Sequence, residues 1–410
     1  MPARSRLNGG GGSPSNPPAI LLGGGVIALA VARSLSRAGV PVYALGHQAD
    51  PVRWSRHRER FVDTGAGTQA IGRWLEWLEA GPGGGVVLPC CDEGLELLVG
   101  HRTRLEALGY TLAEGDDEVT AALLDKERTY EIARPADVAL PRTVTLNTAA
   151  DVDLASEEVG FPCAVKPLSS YQFAQHYGVR QKVLRAADAD ELRRAYSELE
   201  EVGVAALATE IVPGPDRFVS CYGYLDERGE NLLTFTKQKL RQSPPRFGQA
   251  SYHVTDWNPE VAEAGLRFFQ GIGLRGFACV EFKRDERDGR LMLIESNPRF
   301  TAATELLHAA GADVALFVYN RLLGRPLPSC SPYRTGLHLW IPAADVRAAR
   351  EYRRAGELTW AGWARSLLRP QRLPVASLDD PGAVLGAIAH KLPRAPRKLS
   401  GLMREARAKI

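Results

Sequence analysis

Lysine is scarce in this sequence: nine of its 51 basic residues are Lys and the other 42 are Arg. Cysteine is scarce as well. The six Cys (Cys90, Cys91, Cys163, Cys221, Cys279 and Cys330) form no CxxC or Cys/His spacing, which excludes a zinc module. Most lie in apolar runs and read as small core residues of a reduced, cytoplasmic protein. No apolar run is long enough to cross a membrane. The longest, 19–32, is about fourteen residues with three Gly, against the ~20 that a bilayer needs. An excess of one charge is also missing. With 51 basic and 48 acidic residues the net charge is +3, without the footprint of a nucleic-acid binder. There is no Walker A or kinase signature, so the familiar phosphate-loop folds are excluded.

What is present is 410 residues, 45% hydrophobic and 24% charged, enough for two or three domains with a substantial core. Charge is unevenly spread. The stretch 391–410 holds seven Lys/Arg against the single acid Glu405, so the rest of the chain is net acidic. The other six Lys all fall between Lys126 and Lys283. Where Arg fills nearly every other basic role, such clustering points to a need for compact point charges. Residues 1–18, rich in Gly, Pro, Ser and Asn, read as a disordered leader rather than a signal peptide.

From Ala19 the pattern is strand, turn, helix, strand, repeated with short parallel-type strands to about residue 115. This is a doubly wound α/β start. Gly23-Gly-Gly25-Val-Ile-Ala28 matches the G-x-G-x-x-A form of a dinucleotide turn. The ribose-holding acid expected about twenty residues on is missing, because Gly46-His47 stands there and Asp50 lies beyond the strand. The plainer reading is that the Gly residues permit a tight turn and close packing. Past residue 116 a helix is expected over 118–133. A strand over 161–167, a helix over 187–201 and a strand over 205–212 follow, strands then dominate to 236, and helices are expected over 261–270 and, last, 302–323. From 328 onward the sequence changes to Arg- and Trp-bearing helical pieces and the basic tail.

The most informative segment is 276–299. Both halves are apolar enough to be strands, and Arg287-Asp288-Gly289 suits a three-residue hairpin loop with Gly in the left-handed place. That register sets Glu286 opposite Arg290 and Glu281 opposite Glu295, with Asn297 on the same face as Glu295. Phe277, Cys279 and Leu293 are expected to share that face. Two opposed carboxylates in apolar surroundings repel and resist desolvation, so they need a counter-charge. Three side-chain oxygens converging there suit Mg²⁺, a hard ion that shares its coordination with phosphates. The plainer reading is a solvated face relieved by Lys283. Arg299 follows behind a Pro and suits a carboxylate or phosphoryl oxygen. Lys126 follows Asp125 in the 118–133 helix, and Lys166 closes the strand 161–165 beside Ser169 and Ser170. Glu210-Ile211-Val212-Pro-Gly-Pro-Asp216 reads as a hinge.

Together these parts resemble the ATP-grasp superfamily, particularly its carboxylate–amine ligase branch, over about 19–328. The resemblance rests on the order of Asp125-Lys126, Val165-Lys166-Pro167, Glu210-Ile-Val-Pro-Gly214, Lys239-Leu-Arg241 with 244–248, and the Glu281/Glu295/Asn297/Arg299 hairpin. It implies an α/β architecture with α+β lobes. A Rossmann-like pre-ATP-grasp domain would cover 19–115 and an ATP-grasp domain 116–327, with lobes of about 116–209 and 210–327. A C-terminal helical extension would cover 328–410.

In the roles the resemblance implies, Lys126, Lys166, Ser169 and Ser170 serve the ATP phosphates or adenine. Glu210 and the backbone of Ile211 and Val212 hold adenine, and Asp216 the ribose. Glu281, Glu295 and Asn297 ligate two Mg²⁺ or Mn²⁺ ions, while Lys239 and Arg299 face the reacting centre. The implied reaction couples a small-molecule carboxylate to an amine through an acyl phosphate, releasing ADP and phosphate. Other superfamily outcomes stay open: bicarbonate activation, phosphoryl transfer, or non-catalytic nucleotide sensing. Further expectations are a homodimer and peripheral contact of the basic tail with a membrane. The loop 168–178 departs from the family pattern in having one Gly. Its Tyr171, Phe173 and His176, and likewise His253, read either as substrate neighbours or as packing. Lys182, Lys237 and Lys283 carry no role at this level.

Overall fold

The computed structural model describes residues 16–81, 83–168, 173, 176–177 and 181–391. Ser169, Ser170 and Tyr171, most of the leader and the basic tail after Lys391 therefore lie outside the described residues.

The first unit is a five-stranded parallel sheet in the order β3-β2-β1-β4-β5, made from β1 (Ala19–Leu22), β2 (Val42–Gly46), β3 (Arg60–Asp63), β4 (Val86–Pro89) and β5 (Thr111–Leu112). Its helices are α1 (Gly25–Arg37), α2 (Gln69–Ala80) and α3 (Asp92–Ala107). Reversal of strand order at β1 gives the doubly wound topology expected. The Gly turn has a packing explanation. A Cβ on Gly24 would lie 2.3 Å from the Cβ of Cys90, and one on Gly23 2.6 Å from the Cys91 sulfur. Asp50 folds back toward the turn. Its Oδ2 accepts from the His47 N–H at 2.9 Å and sits beside Gly46, with Oδ1 next to Gly25. A carboxylate of the chain itself thus stands before the N-terminus of α1, where a dinucleotide would need its phosphate.

The expected helix over 118–133 is two helices, α4 (Asp117–Leu124) and α5 (Lys126–Ala133). Asp125 breaks it: its backbone is extended, and its side chain accepts from the N–H groups of Glu127 and Arg128. Next comes a four-stranded antiparallel sheet, order β6-β9-β7-β8, from β6 (Thr143–Leu146), β7 (Cys163–Pro167), β8 (Leu184–Ala186) and β9 (Ala206–Glu210). α6 (Ala149–Glu158) and α7 (Ala189–Glu201) pack on it.

The large sheet has seven strands, in the order β14-β13-β10-β11-β12-β15-β16. They are β10 (Phe218–Leu225), β11 (Asn231–Ser243), β12 (Gln249–Asp256), β13 (Gly276–Arg284), β14 (Leu291–Asn297), β15 (His338–Trp340) and β16 (Gln371–Arg372). α8 (Pro259–Gly271) covers one face through Val261, Phe268 and Phe269. On the other face Tyr222, Tyr224, Phe235, Phe277 and Cys279 join a core that continues into α1. α9 (Thr304–Ala310) and α10 (Val314–Leu322) contribute to that core. They replace the single helix expected over 302–323, because Gly311 turns left-handed (φ 102°) and Asp313 caps the second helix.

The C-terminal residues are not an appended helical piece. β15 pairs with β12 and β16 with β15, so the segment after 327 completes the large sheet. α11 (Pro342–Arg354), α12 (Trp360–Ser366) and α13 (Pro381–Lys391) surround those strands in sequence. Among the described residues no helix is long and apolar enough to cross a membrane.

Candidate active site

The acidic hairpin is present, and Glu281 stands directly opposite Glu295, with Cys279 opposite Asn297. The route to that register differs from the expectation. The turn is one residue longer: Asp285 and Arg290 close it (N–O 2.9 Å), leaving 286–289 as the loop, with Gly289 left-handed at φ 77°. Beyond it Phe282 pairs with Leu293, and a one-residue bulge at Ile294 restores the Glu281–Glu295 pairing. The bulge also corrects the expected face of Leu293. It packs with Phe282, Val280 and α8, whereas Phe277 and Cys279 lie on the opposite face with the acids.

The acids differ in environment. Glu295 is exposed and accepts from the Asn297 amide at 3.2 Å. Glu281 is buried, 2.8 Å from Lys239 Nζ and 3.7 Å from Lys237 Nζ, and it accepts from the Ser220 hydroxyl at 3.3 Å. Burial alone would raise its carboxyl. The two ammonium groups overcome that and bring it down to about 2. Lys237 went unassigned in the sequence, although Lys237-x-Lys239 on a strand places both side chains on one face. Arg241 should continue that row. A second irregularity between Lys239 and Arg241 sends it to the other face, where it holds Asp345. His253 lies directly across from Lys239 on β12. It is buried, with neither ring nitrogen hydrogen-bonded among the described residues, and burial beside Lys237 and Lys239 holds it well below its ordinary pKa.

Lys126, the first residue of α5, donates to the carbonyl of Leu168 at 3.2 Å. Burial, then the neighbouring Lys166, lowers its pKa, while Glu295 and Asp92 act against the shift. Lys126 therefore shares one electrostatic environment with Lys166 and with Glu295 of the acidic hairpin. Of the lid residues, Phe173 is buried and stacks on Tyr177 with ring centroids 4.4 Å apart, and His176 is exposed.

At the linker, Ile211 N–H, Ile211 C=O and Val212 N–H have no backbone partner among the described residues. The Val212 carbonyl accepts from Lys283 Nζ at 2.7 Å. Glu210 and Asp216 are placed differently from the expectation. Glu210 is taken by Arg142 (3.2 Å) and Arg287 (2.5 Å). Asp216 is buried and accepts from Gln242 Nε2, from Arg246 N–H at 2.7 Å and from the Tyr352 hydroxyl. Both carboxylates tie the linker down in this structure, as Glu281 is itself engaged by Lys239, Lys237 and Ser220, because carboxylates withdrawn from water are satisfied by whatever donors surround them.

Arg299 donates to Asp92 at the start of α3 (2.6 Å) and to the Phe300 carbonyl (3.1 Å), which joins the parallel-sheet unit to the hairpin. The assembled face carries two carboxylates, one amide oxygen, two buried ammonium groups and one guanidinium. An all-oxygen, doubly anionic donor set fits a hard divalent cation.

No family model matches the chain. Solved structures share its fold over most of the chain. The biotin carboxylase domain dimer of Hydrogenobacter thermophilus 2-oxoglutarate carboxylase, bound to MgADP, ADP and bicarbonate, matches with TM-score 0.62 and 19% identity, over 79% of this chain and 73% of that one. The ADP complex of N5-carboxyaminoimidazole ribonucleotide synthetase matches with TM-score 0.61 and 15% identity, over 78% and 80%. The chain has the ATP-grasp fold. Two curated relatives are ligases. D-aspartate ligase of Enterococcus faecium is 24% identical over 251 residues, 59% of each chain. D-alanine–D-alanine ligase of Chromohalobacter salexigens is 27% identical over 206 residues, 47% of this chain and 60% of that one. The match thus spans about three-fifths of the length of these relatives. The acidic hairpin lies in the large sheet and Lys166 in the small one, with the 211–216 linker between them in sequence.

Proposed function

We propose that the protein is an ATP-dependent ligase that couples a small-molecule carboxylate to an amine. The observation that carries this is the single face on which Glu281, Glu295 and Asn297 meet Lys237, Lys239 and Arg299. It combines a hard-metal donor set with cations for a phosphoryl group and a carboxylate. Ile211 and Val212 offer a donor–acceptor edge suited to adenine. Mg²⁺ held by Glu281, Glu295 and Asn297 would neutralise the polyphosphate; Mn²⁺ and a second ion suit the same donors.

The chain's own residues then position and neutralise. Lys126 and Lys166 hold phosphate oxygens from one side, and Lys239 and Lys237 stabilise negative charge on the group in transfer from the other. Arg299, oriented by Asp92, holds the substrate carboxylate. The carboxylate oxygen takes the γ-phosphoryl group as the bond to ADP breaks, giving an acyl phosphate. The amine lone pair then attacks the carbonyl carbon, phosphate departs with the C–O electron pair, and the amine releases its proton. A cytoplasmic setting and a homodimeric assembly accord with this reading.

The test is ADP release across a matrix of acids and amines. Turnover should require one acid and one amine together. Release that needs bicarbonate alone would favour bicarbonate activation, and absence of release with every pair would leave a nucleotide sensor.

A further inference from the structure

The linker 211–216 is held at both ends by buried side chains. On one side Lys283 Nζ donates to the Val212 carbonyl at 2.7 Å. On the other, the Asp216 carboxylate collects donors from three places: Gln242 on β11, the backbone N–H of Arg246, and the hydroxyl of Tyr352 on α11. Tyr352 lies 136 residues downstream and is itself buried. Burial and the facing Asp216 carboxylate keep its phenol protonated, as a donor.

Tyr352 is rigidly placed. Asp345, one to two turns earlier on α11, is fully buried and accepts from five donor atoms: Arg241 Nε (2.8 Å) and Nη2 (2.9 Å), Ser251 Oγ (3.0 Å), Trp340 Nε1 (3.1 Å) and Trp363 Nε1 (2.9 Å). The far end of the same segment is clamped to the parallel-sheet unit. There the buried Asp380 accepts from Arg33 at 3.0 Å, Ser55 Oγ at 2.7 Å and Arg56 N–H at 3.1 Å. The stretch 345–380 is therefore a strap, held to the parallel-sheet unit at Asp380 and to the linker through Tyr352.

We propose that Tyr352 is a positioning residue of the nucleotide site, and that the C-terminal strap is through it a working part of that site. The inference rests on the reading of Ile211 and Val212 as the adenine-binding edge. The physical basis is preorganisation: a linker fixed before binding loses little conformational freedom when the base docks, so the binding free energy is not spent on ordering it. Removing the hydroxyl leaves a buried carboxylate with one donor fewer. The turn at 213–216 then exchanges between arrangements, and only some present the 211–212 edge.

The experiment is calorimetric titration of the full-length protein and its Tyr352→Phe variant with MgADP, beside turnover at saturating ATP. Tyr352→Phe is expected to weaken MgADP about tenfold, the scale of one hydrogen bond to a charged group, while kcat stays within about twofold. Asp216→Asn, tested alone and with Tyr352→Phe, should weaken binding without adding to the first loss. Tyr110→Phe removes a buried hydrogen bond to the Leu78 carbonyl (2.8 Å) in the parallel-sheet unit, away from the strap, and serves as the structural control. It should lower Tm and leave MgADP affinity unchanged. Parent-like affinity in Tyr352→Phe, or equal weakening in Tyr110→Phe, overturns the proposal. Failure of the parent protein to bind MgADP would instead overturn the reading of the site.

Discussion

Glu281 and Glu295 face each other across two strands, yet Glu281 is buried under two lysines and Glu295 is exposed. Replacement should therefore separate the two. Glu295→Gln is expected to lower ADP release at least about a hundredfold, the scale of losing one aligned electrostatic contact, with the urea midpoint near that of the parent. Glu281→Gln should lose turnover similarly and also shift the midpoint down, because Lys237 and Lys239 would keep their burial without their counter-charge. Paired turnover and urea curves check the asymmetry; equal midpoints for both variants would contradict it.

Arg299 reaches Asp92 through its Nε and the Phe300 carbonyl through Nη1. Lysine cannot make both contacts and still present a planar fork to a substrate. Arg299→Lys is expected to lower kcat/KM for the acid substrate by more than about tenfold and to leave MgADP affinity within about twofold. Steady-state kinetics with titration of the nucleotide would show whether the loss falls on the acid.

Asp345 is the most heavily satisfied buried acid on the strap. Asp345→Ala should destabilise the protein by about 3–5 kcal/mol, since Arg241 would be left buried without its partner. Asp345→Asn, which keeps the shape and part of the hydrogen bonding, should cost less. Urea unfolding followed by tryptophan emission suits this test because Trp340 and Trp363 both donate to that carboxylate.

The pair His308–Asp313 (3.1 Å) makes stability depend on pH. The Asp313 carboxylate beside the ring raises the imidazole above its ordinary value against the effect of burial, with Glu305 assisting and Arg37 opposing. Burial would raise Asp313, but the neighbouring His308 and the hydrogen bond from Ser34 leave it lowered. The imidazolium contribution is complete below the ordinary histidine value of about 6.5 and disappears as pH rises through the raised value. The carboxylate contribution is present above the ordinary aspartate value and disappears as pH falls through the lowered one. His308→Asn should flatten the alkaline side of the stability profile, measured by urea midpoints between about pH 6 and 9.

Much of the candidate site could be read from sequence, for local reasons. Alternating strands around a Gly turn brought Glu281 against Glu295, although the turn was one residue longer and the bulge at Ile294 made up the difference. A turn and a bulge each shift register by one residue, and neither leaves a strong mark in composition. Period two would likewise have placed Arg241 beside Lys239, and a second bulge sent it to the strap. The breaks at Asp125 and Gly311 did have local marks, an N-cap acid and a left-handed Gly, that the apolar periodicity of the flanking helices hid.

Sequence alone determined the doubly wound start and the facing of Glu281 and Glu295. Those follow from periodicity, turn chemistry and charge, which act over a few residues. Tertiary structure decided which donors each acid meets. Glu210 is engaged by Arg142 and Arg287 and Asp216 by Gln242 and Tyr352, and Lys237 gains its place only across from Ser220 and Glu281. A buried charge must be satisfied by whatever donors folding brings to it, and for Asp216 one of those donors lies 136 residues away.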